Sequence, residues 1–93
     1  MAKKRRKPIA DWVNLDVACA KFIVPRLREL AAKHSSYPPE LTPAKWRKIL
    51  LQMADGFAEV GRDDYYLGAV DERDKKINAA LDLFREWFRF LWD

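Results

Sequence analysis

Wound into a helix, the last seventeen residues, Ile77 to Asp93, divide into two unequal sets. At about 100° per residue, the polar positions Asn78, Asp82, Arg85, Glu86, Arg89 and Asp93 fall on an arc only about 100° wide. The rest of the circumference is apolar. Ile77, Leu81, Phe84, Phe88 and Leu91 are expected to cover the core of a small bundle. Leu83, Trp87 and Phe90 lie further round the cylinder, and Trp92 flanks them. A surface helix needs only a moderate apolar stripe, so this second set is expected to form a subunit or partner interface.

Two earlier segments share the helical period. Leu15, Cys19, Phe22, Ile23, Leu27 and Leu30 predict a helix that starts from a cap at Asp11 or Asn14 and runs to about Lys33. Pro25 falls inside it. Proline has no amide hydrogen to give to the Lys21 carbonyl, and its ring crowds that carbonyl, so a kink is expected between Lys21 and Pro25. The run from His34 to Leu41 contains Pro38-Pro39 and breaks the helix. Thr42-Pro43 then supplies a side-chain acceptor at N-cap and proline at N1, a strong start signal. Trp46, Ile49, Leu50, Met53, Phe57 and Val60 form one face of the helix that follows. Gly61 is its expected C-cap, and Gly56 is read as an irregularity in its last turn.

Residues 62–73 read as a mixed connection, and Asp71 or Asp74 can start the final helix. No strand-like alternation and no internal repeat is visible. The expected architecture is all-α, a small bundle of three main helices oligomerising through the C-terminal helix. A basic arm, residues 1–10, precedes a single helical domain, residues 11–93.

Composition sharpens this picture. Hydrophobic residues make up 49% of the 93 positions, enough for a real core. A chain this short buries only roughly 60% of its unfolded surface, which makes assembly into a homo-oligomer a natural supplement. The formal charge of +4 is set by Lys3, Lys4, Arg5, Arg6 and Lys7; the remainder carries 13 basic and 14 acidic residues. The body is therefore not a uniformly basic nucleic-acid binder. A lone cysteine, Cys19, excludes an internal disulfide and fits a reducing compartment. No apolar run approaches the roughly 18 residues of a transmembrane helix, so the expectation is a cytoplasmic protein with no membrane partner.

Catalytic chemistry has few carriers. His34 is the only histidine and Cys19 the only thiol, and on one helix they stand roughly 20 Å apart. No His/Cys metal cluster and no glycine-rich phosphate loop is present, and the acidic runs Asp63-Asp64 and Asp71-Glu72-Asp74 read as solvated. Neither an enzyme nor a bound cofactor or metal is expected.

Trp12, Asn14, Asp16, Lys21, Arg26, Tyr37, Trp46 and Arg47, with Arg28, His34 and Lys48 beside them, combine flat rings with cationic and planar polar groups. Such a set can hold a nucleotide-like anion, with Lys21, Arg26 and Arg47 meeting phosphate and Trp12, Tyr37 or Trp46 stacking on a base. The same residues also admit a structural reading. In it Trp12 and Trp46 fill the core, Tyr37 packs the proline loop, and charges pair on the surface, as Asp16 with Lys21. The Lys3–Lys7 run reads either as a solubilising tail or as a weak, sequence-independent nucleic-acid contact.

Asp11-Trp12-Val13-Asn14-Leu15-Asp16, Ala20-Lys21-Phe22-Ile23-Val24-Pro25-Arg26-Leu27, Tyr37-Pro38-Pro39-Glu40-Leu41-Thr42-Pro43 with Trp46, Ile49-Leu50 and Met53, and Phe88-Arg89-Phe90-Leu91-Trp92-Asp93 cover most of the body. In these blocks the chain resembles a family of small, mostly uncharacterised tailed-bacteriophage proteins. It departs from that pattern where Val13 separates Trp12 from Asn14, and at Ser36 and Pro39, where glycines are usual. The resemblance implies a phage accessory protein acting in an infected bacterium. By analogy with small phage inhibitors of bacterial immunity, some of them oligomeric sponges for nucleotide signals, it implies counter-defence by sequestration. A protein–protein inhibitor of a host defence protein is the alternative, and a nucleic-acid accessory protein using the basic arm is another.

Overall fold

The computed structural model describes residues 13–60 and 70–93. They form α1 (Leu15–Lys33), α2 (Pro43–Phe57) and α3 (Val70–Trp87), the last followed by a 3-10 turn at Phe88–Phe90, with no strand among the described residues. The all-α, three-helix expectation holds. α1 packs on α2 and α2 on α3, while α1 and α3 do not pack directly on each other. α2 therefore lies in the middle, in contact with both other helices.

The middle helix explains the core. Trp46, Leu50, Met53 and Ala54 are fully enclosed, and α1 contributes Ala20, Val24, Leu27 and Ala31 at positions i, i+4, i+7 and i+11. The indole of Trp46 meets that of Trp87 edge to face at 5.8 Å between centroids, and Phe57 meets Phe84 in the same way at 5.5 Å. Edge-to-face pairs place the positive rim of one ring on the negative face of the other.

Local signals place the ends of α2. Thr42 stands at N-cap with extended backbone, its Oγ1 accepting the Lys45 N–H at 3.1 Å, and Pro43 follows as the first helical residue. Thr42→Ala is expected to cost about 0.5–2 kcal/mol of stability through loss of that acceptor, read as a lower urea midpoint. The other end departs from expectation. α2 stops at Phe57 rather than Val60, Ala58 takes the C-cap, and Glu59 and Val60 donate back to the Gly56 and Phe57 carbonyls at 3.1 Å each. Gly61 and the 61–69 part of the expected connection lie outside the described residues. At the start of α1, Asn14 occupies N-cap without a side-chain hydrogen bond. The helix runs on through Pro25, so proline removes a donor there without ending it.

The irregular last turn that Gly56 predicts is present at residues 58–60, and Gly56 itself has a packing role. It is buried inside α2, and a Cβ there would fall onto the Lys76 carbonyl oxygen and within 2.5 Å of the Ala80 Cβ. At Gly56 the backbone of α3 lies close against α2. Beyond it, Glu59 reaches α3 with Oε1 at 3.6 Å from Arg73 Nε and Oε2 at 3.8 Å from Lys76 Nζ.

That close approach sets the rotation of α3 and reverses part of the expected division of its faces. The helix turns Ala80 to α2, with Arg73 and Trp87 also buried and Ile77 and Phe84 half-buried on the same stripe. Trp87, expected to point away from the core, is only 8% exposed; Leu83 and Phe90 are half-buried against the core, Phe90 meeting Trp87 at 5.7 Å. Leu81 and Phe88, expected inside, are 48% and 58% exposed. The physical reason is size. The smallest side chains lie at the helix crossing, and the large apolar residues are arranged around them.

Candidate functional site

The described residues expected to line one pocket are distributed along α1, the α1–α2 loop and the start of α2. Asn14 and Asp16 stand at the start of α1, where Asp16 Oδ1 accepts the neighbouring Val17 N–H at 2.8 Å instead of pairing with Lys21. Lys21 borders a shallow, open depression of about 300 Å³ between α1 and the end of α2, floored by Val24, Pro25 and Phe57. Arg26 turns back on its own helix. Its Nη1 donates to the Phe22 carbonyl at 2.7 Å, and its guanidinium lies 3.8 Å from the Phe22 ring centroid. Tyr37 and Arg47 are exposed at the other end, near the α1–α2 loop. Along α1, Lys21 and the loop are separated by about 20 Å of helix rise. Trp12 lies outside the described residues.

Trp46 requires a correction. It is fully buried on Trp87, and its Nε1 has no hydrogen-bond partner among the described residues, so its ring faces no ligand. Of the two readings offered for this residue, the core one matches its place in the structure. No single pocket collects the seven described residues of the set, because α1 and α2 run antiparallel and hold them at opposite ends.

At the loop end a different polar cluster is present. The Asp93 carboxylate accepts the Ser35 and Ser36 N–H groups at 2.7 and 2.8 Å and lies 3.2 Å from the Ser35 hydroxyl through each of its oxygens. These amide donors hold the Asp93 carboxyl below its usual range; desolvation works against them, and the Ser35 hydroxyl and the charge of His34 assist. His34 Nδ1 is buried and lacks a partner among the described residues. The contact ties the C-terminal turn to the loop after α1.

Because the folded-state value is depressed, the contribution of Asp93 to stability is present above the unfolded carboxylate pKa and is lost as pH falls through the folded one. Asp93→Ala is therefore expected to lower the urea midpoint at neutral pH and to converge on the parent protein in strong acid. Parallel curves at both pH values would show that the contact contributes no stability. Sequence reasoning missed this cluster, since it joins residues 57 and 58 positions apart and no local pattern marks it.

Besides Tyr37 in the loop and Leu51 on α2, exposed large apolar side chains lie on and just before α1 and on α3 with the residues that follow it. On α3 and the turn beyond it, Leu81 and Phe88 are seven residues apart on one stripe, Phe88 packs against Phe84 at 5.0 Å, and Trp92 is 60% exposed. Trp92 keeps its Nε1 on the Arg89 carbonyl at 3.1 Å. On α1, Leu15 and Phe22 are also exposed, with the exposed Cys19 between them. Among the described residues no His/Cys/Asp/Glu group could hold a metal ion, and no helix is long and apolar enough to cross a membrane. Set against protein-family models, curated proteins and solved structures, the chain gives no significant match.

Proposed function

We propose that this is a non-enzymatic phage accessory binding protein that works through protein–protein contacts, with a homo-oligomer built on the outer stripe of α3. The observation that supports this is the exposure of Leu81 on α3, Phe88 in the turn that follows it and Trp92 just beyond. Fully buried aromatics remove roughly 150–250 Å² each from water. Covering the exposed half of two such rings and a leucine offers several kcal/mol per copy at about 25 cal/mol per Å², before the costs of association. The interface thus shifts from Leu83, Trp87 and Phe90 to Leu81 and Phe88, with Trp92 retained. The phage setting, the host cytoplasm and a counter-defence role rest on the sequence resemblance alone.

Leu81→Lys with Phe88→Glu is expected to lower the mass measured by light scattering to that of one chain and leave helical circular dichroism unchanged, since both positions are exposed. Equal masses for the pair variant and the parent would remove the reading.

Sequestration of a nucleotide-like anion is the second reading. It is favoured by the loop amides of Ser35 and Ser36, which already grip one carboxylate beside the exposed Tyr37. Calorimetric titration with cyclic and ADP-ribose-type nucleotides tests it. Heat that disappears in Tyr37→Ala supports a site at this loop, and no heat from any nucleotide eliminates it.

A further inference from the structure

The charges of the folded body are near balance overall but not within it. Residues 13–60, which hold α1 and α2, contain seven Lys/Arg against five Asp/Glu, whereas residues 70–93 contain five against six. One ion pair fixes which side chains of α1 and α2 share a face: Arg28 Nη2 lies 3.6 Å from Asp55 Oδ1, with both side chains more than half exposed. Residues seven apart on a helix point the same way. Lys21 therefore shares the Arg28 side of α1, and Lys48 shares the Asp55 side of α2, with Arg47 beside it.

The helices are antiparallel, so Lys21 and Lys48 stand about 10 Å to either side of the Arg28–Asp55 pair and about 20 Å from each other. Lys21, Arg47 and Lys48 are exposed and have neither an ion pair nor a hydrogen bond among the described residues. The placement is also unfavourable for α2 itself. Its first turn holds no acidic residue, and Lys45, Arg47 and Lys48 crowd its N-terminal end, where the helix dipole favours anions over cations. Among the described residues no carboxylate pairs with Lys45, Arg47 or Lys48.

We propose that this α1–α2 face is a sequence-independent contact surface for the phosphate backbone of nucleic acid. A duplex presents one negative charge per about 1.7 Å of axis, and each phosphate neutralised by Lys or Arg releases counterions. Unpaired cations about 20 Å apart, Lys21 at one end and Lys48 with Arg47 at the other, can each meet a phosphate, with the neutral Arg28–Asp55 pair between them. The Lys3–Lys7 run has the same partner chemistry. The surface does not depend on α3, so the proposal stands apart from self-association.

The test is fluorescence anisotropy of the full chain on a mixed-sequence DNA duplex across a salt series. The parent protein is compared with Lys21→Gln/Arg47→Gln/Lys48→Gln and with a control of equal net charge, Lys75→Gln/Arg85→Gln/Arg89→Gln. Loss of three phosphate contacts is expected to weaken the slope of log K against log salt by about 2.7 in the first variant, with the slope of the control kept. Equal loss in both variants would reduce the effect to net charge and overturn the proposal. So would absence of duplex binding at low salt, or tighter binding to phosphatidylserine-containing vesicles than to the duplex.

Discussion

Trp87→Ala is expected to destabilise the protein by about 3–5 kcal/mol, the range for removing a buried tryptophan. The side chain is 8% exposed and stands between Trp46 and Phe90, with ring centroids 5.8 and 5.7 Å away. Truncation leaves a cavity against Trp46, which is itself fully enclosed. Small domains are stable by only about 5–15 kcal/mol in total, so the variant is expected to lie near its unfolding midpoint at room temperature. Trp87→Glu, which also buries a charge, is expected to be unfolded. Urea unfolding followed by circular dichroism checks both. A Trp87→Glu protein that keeps its helicity would place Trp87 on the outside and refute the rotation of α3.

The second large effect is at Gly56. Alanine is the better helix former by about 1 kcal/mol, and on an exposed face Gly56→Ala would stabilise. Here the added methyl meets the Lys76 carbonyl oxygen and the Ala80 methyl, and the first is backbone that cannot swing away. α3 must move outward, loosening the Trp46–Trp87 and Phe57–Phe84 pairs together. Overpacking of this kind costs about 1–3 kcal/mol, so the net change is expected to be destabilising. Adding Ala80→Gly removes one of the two overlaps and should recover part of the loss, which a double-mutant cycle would show as a coupling between the two sites. A stabilised Gly56→Ala protein would mean that the helices stand further apart.

Legibility of the fold followed the range of the interactions. Thr42-Pro43 could be read because an N-cap is decided within four residues, and the α2 face from Trp46 to Phe57 because burial on a central helix repeats with the helix period. The rotation of α3 was hidden. Ranking its residues by apolar size puts Leu81 and Phe88 inside, whereas the contact is decided by Gly56 opposite Ala80, two small residues 24 positions apart. The candidate site was less legible still. Trp46 has the residue type of a stacking platform and the position of a core residue, and only the arrival of Trp87 separates the two. The Asp93 contact with Ser35 and Ser36 carries no local signature, because its donors are ordinary loop amides.

The proposed meeting place of two copies is the exposed stripe that runs from Leu81 on α3 through Phe88 to Trp92. Hydrogen exchange read by mass spectrometry at low and at high micromolar concentration tests it most directly, because association slows exchange where the interface forms. The prediction is slower exchange at high concentration in peptides covering residues 81–93, with peptides covering residues 44–55 unchanged. Identical exchange at both concentrations in a protein of monomeric mass, or slowing confined to residues 15–22, would contradict it.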